Sequence, residues 1–332
     1  MNETDFRDYL APFLYSDEQV AACIAGVKHL EDHLGSILIE DCLGEATVTY
    51  VDYLRHIDQL DRQHLVGVYF YANMVGNIDL ERDVLEMLDG FEILGNLSAA
   101  VEAELGPDAH AEVFAGVELP EIGTTPRDWI AVNAVVFPRL ETAAEPETIK
   151  RILRSGLRNL PDANFLPMRE RFEEMGDIDD FLEDRGRRRY EGLVQHRYGG
   201  TLYFNQLIND EVLAFVAAHP EIGRGVRDGT TIIETKIPHE AIEYLAATDF
   251  GAQQYHVCHC PLVKESMAPG GPVISDGFCD FCPSFNAKPW EVIFDQKLEY
   301  EVLESAKRGG RWCRFAIHLP AEGMAATPLA TR

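Results

Sequence analysis

Lysine is scarce in this sequence: only seven occur among 332 residues. All basic residues together number 29 against 56 acidic ones, which leaves a formal net charge of -27. A surface of that sign repels nucleic acid and anionic lipid, so neither is an expected partner. Two origins fit the charge equally: a halophilic surface kept soluble in a salty cytoplasm, or an arginine-preferring composition. Long apolar runs are missing too, and none reaches the roughly 18 residues that a membrane span needs. The start, MNETDFRDYLAPF, is acidic and has neither a basic leader nor a long apolar stretch. It reads as cytoplasmic, without a secretory signal. No internal repeat and no low-complexity tract interrupts the chain. Cysteine is sparse, seven in all, and a composition that is 46% hydrophobic builds its core without disulfides. The length suits one large domain or two of ordinary size.

Residues 1–160 read as a helical region. In SDEQVAACIAGVKHLEDHL, Ser16 stands three residues before Gln19, the spacing of a capping box. Val20, Cys23, Ile24, Val27 and Leu30 then form one apolar stripe. Segments 51–75 and 80–105 each show the same period. Cys23 lies on an apolar face, and Cys42 has no partner at metal-ligand spacing; both read as buried core thiols. Segment 116–167 carries several prolines and reads as loops between short helices. A helix returns at 177–199. Its RGRRR run, Arg185 to Arg189, is the one basic patch, and it reads as a solvated face or an internal ion-pair partner, with an anionic substrate or phosphate site as the alternative.

Residues 161–320 change character and read as an α+β module. DEVLAFVAAHPEI is a helix stopped by Pro220, TTIIETKI a strand, and IPHEAIEYLAATD a further helix. A helix is placed from about Asn286, with Trp290, Ile293 and Phe294 on one face. LEYEVLES and RWCRFAIHL alternate around a glycine turn, so they form a hairpin with Cys313, Phe315, Ile317 and Leu319 inward. Residues 321–332 read as a frayed tail. The fold class is therefore α+β, with a mostly helical N-terminal half packed on a module that carries a small antiparallel sheet and a cysteine metal site.

The thiols of that site are clustered in sequence. YHVCHCPLVKES carries Cys258 and Cys260, and DGFCDFCPSF carries Cys279 and Cys282, four within 25 residues. Disulfides do not persist in a reducing compartment. Paired thiolates suit a soft or borderline metal, and four make a closed tetrahedral zinc site. An iron–sulfur cluster fits the same four. A redox C-x-x-C needs a helix starting at the thiol, and a start near Asn286 argues against it. Cys313 is a fifth donor, and His256 and His259 flank Cys258. With three protein ligands, water fills the fourth position and hydrolysis becomes available. Glu265, Asp276, Asp280 and Glu304 are the nearby carboxylates for a general base, with Glu265, Glu304 and His259 the catalytic candidates. The bland alternative for His259 is a solvent-facing loop residue.

Cys260-Pro261, Cys279, and a strand pair running Glu304-Ser305 through Gly309-Gly310 to Cys313-Arg314-Phe315 resemble the vinyl-reductase-type (4-vinyl reductase) small-molecule-binding domain. They also resemble the related 2-aminothiazoline-4-carboxylate hydrolases. The resemblance spans roughly residues 200–320 and implies a zinc site beside an apolar ligand pocket. Three positions depart from it. Ser305 stands where the sensor domains place a further cysteine. Gly310 replaces an acidic residue after the turn glycine. Cys258 and Cys282 are additional to the hydrolase pattern. The expectation is a zinc-binding protein acting as a hydrolase or lyase on a small C–N or C–S substrate. The alternative is a small-molecule-binding or sensor protein with a structural zinc or iron–sulfur site. A small-molecule ligand is the expected partner, and a homodimer is left open.

Overall fold

The computed structural model describes residues 1–13, 15–42 and 45–320; the tail expected to fray lies outside them. The class is α+β: many helices and one four-stranded antiparallel sheet. The described residues divide into two compact units. One holds Met1–Phe91, Leu119–Trp129 and Gly199–Leu207. The other holds Glu92–Glu118, Ile130–Tyr198 and Ile208 onward. Neither unit ends at residue 160.

In the first unit the helix Asp17–Leu34 starts at the expected capping box, with both reciprocal hydrogen bonds between Ser16 and Gln19 present. Cys23, Ile24, Val27 and Leu30 are buried as the stripe requires. The periodic segment 51–75 splits into Glu45–His56 and Arg62–Val75. Asp58 takes a positive φ in the break, and Asp61 caps the new start through the N–H of Gln63. Helices Asp17–Leu34 and Arg62–Val75 cross at two glycines. A Cβ on Gly26 would lie 2.3 Å from the His64 carbonyl oxygen, and one on Gly67 would lie 2.2 Å from that of Cys23. Backbone meets backbone there. Cys23 and Cys42 both belong to the surrounding apolar core.

One expectation fails in segment 116–167. Instead of loops between short helices, Pro126–Ala143 is an 18-residue helix with Pro138 inside it. Pro126 at its first turn leaves no N–H to satisfy. Buried Asn133, Val136, Phe137 and Leu140 recur at helical spacing, and this burial outweighs the one backbone bond that Pro138 cannot make. Pro146–Arg154 follows, again with proline at its start.

The sheet of the second unit has the order β1 (Val226–Asp228), β2 (Thr231–Thr235), β4 (Arg314–His318), β3 (Glu299–Glu304). β4 is interior, pairing Ile317 with both Ile232 and Tyr300. The expected hairpin is present, with a bulge between Val302 and Glu304. Cys313, Phe315, Ile317 and Leu319 are buried as expected. Helices Leu166–Met175, Ile178–Gly199 and Pro283–Phe294 cover the sheet face that holds Ile232, Tyr300 and Ile317. On the same face Glu234 accepts hydrogen bonds from Arg185 (2.5 Å), Trp290 Nε1 (2.8 Å) and Asn286 Nδ2 (2.8 Å). Arg185 of the basic run is thus an internal ion-pair partner.

Candidate functional site

Three stretches of the second unit bring five thiols together. The helix Phe250–Val257 ends at Cys258, its C-cap, and Cys260 follows in a turn whose carbonyl accepts from Val263 and Lys264. Cys279 lies in the short 3-10 helix Asp276–Phe281, and the N–H of Cys282 returns to its carbonyl at 3.2 Å. Cys313 enters β4, its carbonyl accepting from the N–H of Lys236 at 3.1 Å. The helix Pro126–Ala143 braces both cysteine runs. Asn133 Nδ2 donates to the Leu262 carbonyl at 2.9 Å, and the Phe137 ring meets Phe278 edge-on at 5.1 Å.

Cys258, Cys260, Cys279 and Cys313 are buried, Cys282 is half-buried, and all five are free thiols. Each lies within electrostatic reach of others in the group. Burial, then Cys313, Cys282 and Cys279, push Cys258 well above the ordinary thiol range. Interaction with Cys282, joined by burial, pushes Cys260 well above the ordinary thiol range. The same interaction, with Lys236 and Arg158 nearby, brings Cys282 down to about 6 against the opposing effect of burial. Burial pushes Cys279 up to about 12, partly offset by a hydrogen bond from Ser305. Cys313 rises to about 11, again through burial. Ser305, where the resemblance places another cysteine, therefore touches the cluster. Among the described residues no group of three or more His, Cys, Asp or Glu is arranged to hold a metal ion.

The expected helix start at Asn286 is a correction. The helix is Pro283–Phe294, with Cys282 as its N-cap and Pro283 in its first turn. Asn286 is instead spent on Glu234. The objection to a redox C-x-x-C, which rested on a late start, falls with it.

The expected acid–base residues are all engaged. His259 is not solvent-facing: its Nε2 donates to the Ile237 carbonyl at 2.5 Å, and its ring meets His239 at 4.9 Å. Burial, reinforced by Lys236, drops its pKa to about 3, so it stays neutral through the physiological range. Glu304 Oε1 accepts from the N–H groups of Arg311 (2.6 Å) and Trp312 (3.0 Å), closing the loop before Cys313. Glu265 accepts from Tyr255 Oη at 2.7 Å. Asp280 pairs with Arg308 at 3.4 Å, and Asp276 approaches the same guanidinium at 4.0 Å.

Beside the first cysteine run lies a polar network that sequence reasoning missed. Glu240 bonds His256 Nδ1 at 2.5 Å and also accepts from Lys264, whose ammonium sits 4.7 Å over the Tyr255 ring. Lys264 is buried. Its scarcity as a residue type was the available signal; Glu240 gave none, because it comes from a different helix start.

Compared with known protein families, with curated proteins and with solved structures, the chain matches none.

Proposed function

We propose that the chain holds one zinc ion through thiolates drawn from Cys258, Cys260, Cys279, Cys282 and Cys313, and that it is a hydrolase or lyase of a small C–N or C–S substrate. The observation that carries the reading is the convergence of five free thiols from three stretches. Ionised together without a cation they would repel one another in a site of low dielectric. A divalent ion reverses that balance and deprotonates its ligands. Ligation requires the thiols to turn toward a common point. Five donors exceed a four-coordinate shell, so one thiol is spare, and three ligands would leave a position for water or substrate. Of the carboxylates, Glu265 is the candidate base, linked through Tyr255 to the Glu240 network. A reducing cytoplasmic setting fits five unpaired thiols.

Elemental analysis of the purified protein, with the visible spectrum of its cobalt-substituted form, tests this. One zinc per chain and a tetrahedral cobalt–thiolate spectrum that shifts on adding a small thiol support a catalytic ion. The same spectrum with no response indicates a closed structural site, as in a ligand-binding protein. A protein without metal and colourless with cobalt sinks the proposal.

One observation favours a second reading. Cys260 and Cys282 act on each other's titration, and Cys282 stands at the N-cap position of a helix, the setting of a redox dithiol. Loss of two thiols, and of two hydrogens in mass, on mild oxidation of the metal-free protein would support it.

A further inference from the structure

A strongly cationic concavity lies where the helix Pro146–Arg154 gives way to the loop before Asp162, against the helix Pro283–Phe294 and the start of β3. Its volume is about 370 Å³, in the range of small-ligand pockets. Arg154, Arg158, Lys288 and Lys297 line it, opposed by Glu291 alone among its lining side chains. Four cations thus face one carboxylate in a chain of net charge -27. Two of only seven lysines are used here. Ser155, Asn159 and Ser284 add neutral hydrogen-bonding groups to the wall. Gly156, with φ +94, makes the turn that brings Arg158 to the same wall as Arg154.

Lys297 pairs with Glu291 at 2.8 Å, and Arg154 and Lys288 are held by exposed carboxylates. Arg154 donates to the Tyr300 carbonyl and lies 4.5 Å over its ring, yet its buried Nε has no hydrogen-bond acceptor. Its ion pair with Glu299 is 3.4 Å long, and Glu299 is 86% exposed. Lys288 pairs with Asp162, which is 70% exposed. With their carboxylates in solvent, these pairs are weak, so an entering anion displaces them at little cost.

The cavity also lies near one of the thiols, Cys282. Ser284, on its wall, is two residues from Cys282, and Arg158, on the same wall, acts electrostatically on Cys282. We infer that this cavity is an anion site for a small molecule bearing a phosphate or carboxylate head, held by Arg154, Arg158 and Lys288. Its use as the substrate-anchoring part of the thiol centre rests on the proposed function; anion binding itself does not.

The test is calorimetric titration and thermal melting of the full chain with inorganic phosphate and with succinate, each against potassium chloride at matched ionic strength. The chloride arm is essential because screening alone should stabilise so acidic a protein. Saturable binding of phosphate, of succinate, or of both supports the site, and the two arms separate a phosphate from a carboxylate head. Arg158→Gln and Lys288→Gln should each weaken binding about tenfold, as expected for the loss of a charge-assisted hydrogen bond. Lys28→Gln removes the same charge in the other unit and should leave affinity unchanged. If Arg158→Gln fails to fold, Lys288→Gln, which alters a single pair with an exposed carboxylate, decides alone. No response beyond chloride, or variants that bind like wild type, would overturn the inference. Anion binding by a protein without zinc would uphold the cavity and remove the metal. Zinc without anion binding would do the reverse.

Discussion

Two buried glutamates shift in opposite directions. Glu81, in the first unit, is pushed up by burial and receives one hydrogen bond, from Asn73 at 2.8 Å. Glu234, in the second, is as fully buried, and burial alone would raise it. Arg185, with Asn286 and Trp290, outweighs that and holds it below the usual carboxylate range. The thiols divide in the same way. Cys23 and Cys42 are single sulfurs in a hydrocarbon core, each raised by burial and eased by one amide, Gln63 or Asn77. The five thiols of the second unit act on one another. One interior holds polar groups singly, with burial disfavouring their charged forms; the other gathers them with partners. Burial is common to both, so company, rather than burial, separates the two interiors.

The strongest way to break this contrast is to remove sulfur from each interior. Cys260→Ser or Cys279→Ser should take zinc from one per chain to none, and should lower the melting temperature because ligation contributes folding energy. Cys313→Ser should weaken zinc binding or activity. Cys23→Ser should leave zinc untouched, at a modest cost in packing. Equal zinc content in all four would make the second unit's thiols as inert as the first's.

Next comes the glutamate pair. Glu234→Gln strands Arg185 in the interior and should cost about 3–5 kcal/mol by chemical denaturation. Because the folded pKa of Glu234 is depressed, its stabilisation is fully present above the unfolded value near ~4.3. It is lost as pH falls through the lower folded value. Wild type should therefore approach the variant's stability in acid and exceed it at neutral pH. Glu81 has a raised folded pKa, so ionising it at neutral pH weakens the fold. Glu81→Gln should leave the melting temperature unchanged or raise it. Matching losses from both variants would erase the distinction.

The smallest effect acts on the surface of both units alike. Screening of the -27 charge should raise the melting temperature by several degrees between low and molar potassium chloride. A flat or falling curve would argue for composition rather than salt adaptation.

Legibility in the sequence followed locality. The Ser16–Gln19 box, the 298–319 hairpin and the paired cysteines are short-range patterns, and each was readable. The break at Asp58 was hidden because apolar spacing continues across it. Pro138 and Pro126 suggested loops because the burial that overrides them comes from distant residues such as Phe278. The start at Pro283 was misplaced because Asn286, a good cap by type, is occupied by Glu234 from the sheet. The Glu240 network and the cationic cavity draw on separate segments with no shared spacing, so nothing along the chain announces them.

The glycine crossing of Asp17–Leu34 and Arg62–Val75 has a consequence for how this sequence can vary. At Gly26 and Gly67 even a methyl group would overlap a main-chain carbonyl of the opposite helix. A substitution at either position cannot be rescued by trimming a neighbouring side chain, because none lies in between. Repair would have to move a whole helix. The two positions are therefore coupled to the path of the backbone rather than to any residue, and drift elsewhere in that core can proceed while these two stay fixed.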